Sequence, residues 1–372
     1  MKKSMHTVSI RLSLAMAVAF SAHAVADIKI GVGAPFTGPN AAFGDQIWRG
    51  AAQAAADINA SGGVNGEKIV LVKGDDACEP KQAVAAANQM VNVEHVVGVI
   101  AHYCSSSAIP ATEIYDEAQI IAITPAASSP KLTERGLPDV FRMSGRDDQQ
   151  GQVAADYIAQ TLKAKSVAVI HDKDTFGQGV ADTTLLALKK QGVPAVIYEG
   201  LTRGEKDFNA VVTKIRSSKA EVVYFGGCHP EAGPLVRQMR EQGSTIPFVT
   251  TDCTVTDQLV ATAGGKQYTK GVLMTFYPDP RKLASGKDVV AKFRAAGYEP
   301  ESYTLFSYAS VQALAAAFAG AGTTDGPKAS EWLKSHSVDT VLGSKSFTAQ
   351  GDLKDSPYVM YQWDADGHFS QL

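Results

Sequence analysis

Two hydroxyl-rich loops carry the densest chemistry in the chain. Cys104-Ser105-Ser106-Ser107 stands between a predicted strand at 96–101 and a predicted helix at 105–118. Serine hydroxyls and the free N–H groups of a helix N-terminus form a site for a carboxylate, aided by the positive end of the helix dipole. A serine there also serves as an ordinary N-cap, and the two roles are compatible. Thr124-Pro125-Ala126-Ala127-Ser128-Ser129 follows the next predicted strand, where small residues let a ligand approach backbone carbonyls. Its plainer role is a Pro-Ser loop. Asp252 lies at the matching edge of a second predicted sheet, placed to meet a cationic group across a cleft. Carboxylate on one side and ammonium on the other describe an amino acid.

Catalytic signatures are missing from the sequence. Gly31-Val32-Gly33 follows a strand like a dinucleotide loop, yet Phe36 stands where the third glycine of G-x-G-x-x-G belongs. There is no phosphate loop, nucleophile elbow or H-E-x-x-H. His95, His102, His171, His229, His336 and His368 are dispersed without ligand spacing, so a structural reading is the simplest for each. Asp75-Asp76 are adjacent and point in different directions, which suits strand-end acids better than an acid–base pair. A hydrolase using Ser105 has no motif to place a base beside it. No metal, cofactor or catalysis is expected.

Four cysteines, Cys78, Cys104, Cys228 and Cys253, allow three pairings. Cys78 and Cys104 each follow a predicted strand, at 68–73 and 96–101, whose ends are neighbours in a parallel sheet, and pairing is favoured in an exported protein. Cys228 and Cys253 repeat this placement after strands at 222–225 and 247–250. They are expected to be bridgeable, with two buried free thiols as the alternative. No C-x₂₋₄-C spacing supports zinc.

The elements that position these residues alternate. Strands at 28–32, 68–73, 96–101 and 120–123 alternate with helices at 45–60, 80–91 and 105–118, a βαβ series with a parallel sheet. The first helix shows Ile47, Ala51, Ala54 and Ile58 on one face and is stopped by Gly62-Gly63. The rhythm restarts with helices at 149–162, 177–191, 208–217 and 231–242 and strands at 166–171, 195–198, 221–225 and 247–250. A strand at 271–277 and helices at 288–296, 303–319 and 328–335 follow. Two strands are expected around Gly351-Asp352. The apolar stretch 305–322 contains Ser307, Tyr308, Ser310 and Gln312 and reads as a buried amphipathic helix. The fold class is therefore α/β, with two doubly wound parallel-sheet lobes and a ligand crevice between them.

Composition fits this picture. The chain has 372 residues, 45% hydrophobic and 20% charged, with formal charge −3, too apolar for disorder and too balanced for a nucleic-acid binder. Lys2, Lys3 and Arg11 precede the apolar run 12–20 and the small-residue sites Ala22-His23-Ala24 and Ala24-Val25-Ala26, the pattern of a cleaved export signal over residues 1–26. Cleavage would shift the formal charge from −3 to −6. That run is shorter than the roughly 20 residues of a membrane span, and the mature chain is expected to be soluble and periplasmic.

Residues spread along the chain carry a family likeness. Asp27-Ile28-Lys29-Ile30, Gly38-Pro39, Asp75-Asp76-Ala77-Cys78, Cys104-Ser105-Ser106-Ser107 and Ile123-Thr124-Pro125-Ala126-Ala127 belong to it. So do His171-Asp172-Lys173, Gly204-Glu205-Lys206-Asp207-Phe208, Gly226-Gly227 with His229-Pro230-Glu231, the stretch 337–341 and Gly351-Asp352-Leu353-Lys354. In this the chain resembles the leucine/isoleucine/valine-binding proteins, periplasmic receptors of branched-chain amino-acid ABC importers. The resemblance implies a hinged bilobal type I fold with three crossovers and a Cys78–Cys104 disulfide. Lobe one is expected from residues 27–146 with 276–353, and lobe two from 147–275 with 354–372. Expected partners are a small amino acid and the inner-membrane permease and ATPase complex, with the receptor a monomer.

The resemblance places the ligand carboxylate on Ser105 and Ser128. It places the ammonium on the Ala126 carbonyl, Ser128 and Asp252, and the side chain among Phe43, Tyr103, Phe176, Cys228 and Tyr303. Cys228 stands where relatives carry Tyr, and Asp252 where they commonly carry Glu. The carboxylate subsite is thus retained, while the second lobe departs from the pattern. Specificity then either stays with branched-chain or other aliphatic amino acids or shifts to a bulkier or unbranched one. A soluble ligand-sensing receptor is the further alternative.

Overall fold

The computed structural model describes residues 27–372. The export signal expected over residues 1–26 lies outside the described residues.

The first sheet is built from β1 (Ile28–Ala34), β2 (Ile69–Asp75), β3 (Gly98–Ala101), β4 (Ile121–Thr124) and β5 (Val140–Arg142). Between them run α1 (Ala41–Ala60), α2 (Pro80–Asn92), α3 (Ser105–Glu117) and the short α4 (Lys131–Glu134). The strands are parallel in the order β2-β1-β3-β4-β5. β3 and β4 are buried at every position, because helices cover both faces of a parallel sheet. Ile47, Ala51 and Ala54 of α1 are buried as their spacing predicts, and Ile58 is half-buried.

α5 (Asp147–Asp156), β6 (Val167–His171), α6 (Thr175–Lys190), β7 (Ala195–Gly200), α7 (Asn209–Ser218) and β8 (Val222–Gly226) continue the alternation. They are followed by α8 (His229–Glu241), β9 (Phe248–Thr250), α9 (Gln258–Ala263), α10 (Lys266–Thr269) and β10 (Leu273–Phe276). The chain then returns to the first sheet with α11 (Lys287–Ala295), α12 (Thr304–Ala321) and α13 (Gly326–Ser335). The hairpin of β11 (Val338–Thr340) and β12 (Gly343–Lys345) follows, and β13 (Val359–Trp363) and β14 (Phe369–Gln371) end the chain in the second sheet. That sheet runs β14-β13-β10-β9-β8-β6-β7, antiparallel only at β13.

Several expectations are corrected. The terminal strands do not flank Gly351-Asp352; β13 and β14 turn near Asp366 and Gly367, while 347 and 353 form only an isolated bridge. The helix containing 305–322 is buried on nearly all sides rather than amphipathic. Its serines bond to backbone, Ser307 Oγ donating to Ile47 O on α1 at 2.7 Å and Ser310 Oγ to Phe306 O one turn back at 2.8 Å. It is long and apolar enough to cross a membrane, yet 72% of it is buried against the core. α1 and α12 approach so closely that a Cβ on Gly50 would lie 2.0 Å from Thr304 O. The helix expected over 149–162 begins at Asp147 and ends in a π turn, Tyr157–Thr161.

The chain passes between the sheets after β5, after β10 and before β13. Tyr277 ties the three passages together. Its hydroxyl accepts from Gly145 N at 2.8 Å and meets Tyr358 Oη at 2.6 Å. Its carbonyl accepts from Tyr361 Oη at 2.8 Å. Arg142, fully buried, pairs with Asp352 at 2.6 Å, and Asp352 also meets Arg146 at 3.3 Å. Neutralising that carboxylate leaves a buried guanidinium without its counter-charge, so Asp352→Asn is expected to lower stability by about 2 kcal/mol. Urea unfolding reads this as a lower midpoint, and an unchanged midpoint would remove the pair from the account.

Candidate functional site

On the first sheet, Cys104 is extended (φ −77°, ψ 133°) and serves as N-cap of α3 without a side-chain cap bond. Its carbonyl accepts from Ser107 N and Ala108 N, so the Ser105 and Ser106 amides have no partner within the helix. Ser105 Oγ accepts from Ser129 N at 3.2 Å, which joins the two hydroxyl loops. Thr124 Oγ1 accepts from Ala126 N at 3.2 Å and Ala127 N at 2.9 Å, making a tight turn that carries Ala126 and Ser128 to the cleft. Arg142 braces this loop from behind through Ala127 O and Ser129 O.

On the second sheet, the end of β9 places Asp252, which is buried and accepts from Tyr303 Oη at 2.5 Å. Burial pushes the Asp252 carboxyl above the usual carboxylate range. Asp147 behind it is driven up to about 7, chiefly by burial and further by the Asp252 charge.

These elements converge on a cavity of about 320 Å³ between the two sheets, within the lower range of small-molecule sites, roughly 300–1,000 Å³. Of the residues expected from the sequence, Tyr103, Ser105, Ala126, Ser128, Phe176, Cys228, Asp252 and Tyr303 all line it. Phe43 does not. It lies behind Tyr103, with ring centroids 4.4 Å apart and planes nearly parallel, and so supports the wall instead of forming it. Sequence reasoning missed Asp172, Asp174, Arg203 and Glu231, which also line the cavity. The stretches His171-Asp172-Lys173 and Pro230-Glu231 carried the signal, the first at the end of β6 and the second in the first turn of α8. Asp174 at the start of α6 accepts from Ser106 Oγ at 3.2 Å, a contact that spans the mouth of the cleft, and pairs on its own side with Arg203 at 3.5 Å. Burial, reinforced by Asp174, pushes Asp172 up to about 7.

Both cysteine pairs are bridged, with Cα atoms 5.4 Å apart for Cys78–Cys104 and 4.7 Å for Cys228–Cys253. β8 and β9 are adjacent, as expected for the second pair, but β2 and β3 are not. They flank β1, and the Cys78–Cys104 bridge reaches over its end. Tyr103 Oη contacts Cys253 Sγ at 3.1 Å, so the second disulfide meets the opposite lobe.

One wall therefore offers hydroxyls and helix amides and the other a buried carboxylate, around a partly apolar cavity. Residues 27–368 match the family model described as periplasmic binding protein. The chain belongs to the periplasmic binding protein family. It is 66% identical over 361 residues to an amino acid binding protein of Pseudomonas aeruginosa, covering 97% of this chain and 96% of that protein. It is 45% identical to Leu/Ile/Val-binding protein homolog 1 of Brucella suis, covering 97% of each. Among solved structures it resembles the branched-chain amino acid transporter substrate-binding protein of Streptococcus pneumoniae in complex with isoleucine. That likeness has a TM-score of 0.84 and 25% identity, covering 93% of this chain and 100% of that one.

Proposed function

We propose that this periplasmic binding protein captures a branched-chain aliphatic L-amino acid and delivers it to an inner-membrane ABC permease and its ATPase. The observation that carries this reading is the convergence of Ser105, Ser128 and the α3 N-terminus with the buried Asp252 on one cavity. Ser105 and Ser128 hold the carboxylate, while the Ala126 carbonyl, Ser128 and Asp252 hold the ammonium. The side chain packs among Tyr103, Phe176, the Cys228–Cys253 disulfide and Tyr303, with Phe43 as backing. The relatives' named ligands support the same choice.

Lobe one comprises residues 27–146 and 276–353, lobe two 147–275 and 354–372. Ligand shifts them toward a closed state by contacting both, and the permease reads that state. The protein works as a periplasmic monomer after loss of residues 1–26, and it performs no catalysis. Calorimetric titration with a panel of L-amino acids tests the assignment. Leucine, isoleucine or valine is expected to bind most tightly. Failure of all three beside tight binding of another amino acid would shift the specificity, and binding of a sugar or peptide instead would overturn the reading.

A further inference from the structure

We infer that His102 is the positioning residue of the carboxylate subsite: it locks the three cleft-edge loops of the first lobe into one hydrogen-bonded unit. The inference rests on the amino-acid reading above. His102 does not line the cavity and is fully buried. Its Nδ1 meets Asp76 Oδ2 at 2.6 Å, and Asp76 Oδ1 accepts from Cys78 N at 2.7 Å, which ties down the turn after β2. Its Nε2 meets Tyr115 Oη at 3.0 Å, which anchors the ring to α3. Its carbonyl accepts from Thr124 Oγ1 at 2.6 Å, the same oxygen that gathers the Ala126 and Ala127 amides. The residue also begins the short connection His102-Tyr103-Cys104 that sets where Ser105 starts α3.

One side chain and its own carbonyl thus fix Cys78, Ser105 and Ala126 relative to one another. A Gly at position 33 makes room for it, since a Cβ there would come within 2.7 Å of His102 Cε1. Gly31 is similarly crowded by Met90 Sδ, at 2.6 Å. The Gly31-Val32-Gly33 stretch that imitates a nucleotide loop is a strand interior thinned for packing. A fully hydrogen-bonded buried network of this kind specifies geometry more than it adds stability. Serine hydroxyls and helix amides aimed at a carboxylate gain affinity from being held in place before the ligand arrives.

The test compares L-leucine with L-leucinamide, which keeps the ammonium and side chain but lacks the carboxylate. In wild type, leucine is expected to bind far more tightly than leucinamide. His102→Leu, which fills the space without the polar contacts, is expected to weaken leucine by on the order of tenfold or more and leucinamide clearly less, because leucinamide loses only the Ala126 side of the network and keeps Asp252, which lies outside it. His102→Asn, which keeps a donor near the Nδ1 position, is expected to recover most of that loss. Thr124→Val gives the same selective loss through the carbonyl side of the network, and it stands in if His102→Leu does not fold. Amide hydrogen exchange on ligand-free protein is expected to show faster exchange at Cys78, Ala126 and Ala127 in the variants, with the second lobe unchanged. Equal weakening of both ligands, or unaltered exchange at these amides, overturns the positioning role. A wild type that does not distinguish leucine from leucinamide overturns the carboxylate assignment instead, and the exchange measurement still decides whether His102 holds the loops.

Discussion

Asp252→Asn is expected to reduce L-leucine affinity by on the order of 100-fold, through loss of the buried carboxylate proposed to meet the ammonium. Asparagine keeps the shape and still accepts from Tyr303 but carries no charge. The same substitution is expected to leave the ligand-free protein as stable as before, or more so, near neutral pH. The sign follows from burial, which raises the Asp252 carboxyl in the folded state. A raised acid contributes stability that is fully present below its unfolded value, roughly 4, and is lost as the pH climbs through the folded value. Asp147, up to about 7, responds in the same direction. Removing one of these two interacting acids relieves the other, a trade of stability for function common at binding sites. Ligand affinity runs the opposite way with pH. With Asp252 as the proposed ammonium ligand, binding takes its ionised form, so wild-type affinity is expected to fall as the pH is lowered below the raised Asp252 value and binding to be accompanied by proton release. Calorimetry in buffers of different ionisation enthalpy reads both effects, and Asp252→Asn flattens the pH dependence. Unchanged affinity in that variant would remove Asp252 from the ammonium site.

Loss of the Cys228–Cys253 bridge is expected to lower stability by about 3 kcal/mol, from the closure entropy of a loop spanning 25 residues. The Cys228→Ser/Cys253→Ser double variant should melt roughly 4 °C lower in a thermal scan. Its effect on binding follows from position. Cys228 caps α8, Cys253 follows Asp252, and both line the cavity. The bridge therefore fixes the carboxylate against the neighbouring helix α8 on the same side of the cavity, and the freed Asp252 loop should weaken leucine several-fold. An unaltered melting temperature together with two free thiols in denatured, unreduced wild type would contradict this.

The sequence made the fold legible where periodicity is strong. The βαβ alternation, the α1 face at Ile47, Ala51 and Ala54, and the strand-end position of both hydroxyl loops all follow from spacing. It was misleading where long-range packing decides. Gly351-Asp352 has the composition of a hairpin turn, yet Gly351 is pressed against the Val140 carbonyl and Asp352 is drawn to Arg142. The serines and tyrosine of α12 imitate a polar face because they bond to backbone and to α1, which periodicity cannot report. Within the site, strand ends announced Ser105, Ser128 and Asp252. Asp174 meets Ser106 across the cleft mouth, and Arg203 beside it, only through tertiary placement, and Phe43 needs the stacked Tyr103 before its supporting place is evident.

We propose that both ends of the amino-acid head group are held at once, from opposite lobes. Calorimetry of wild-type protein with L-leucine, 4-methylpentanoate and 3-methylbutylamine tests it directly. Tight binding of leucine alone, with large losses for the analogues lacking either the ammonium or the carboxylate, is the result predicted. Comparable binding of either analogue would contradict it.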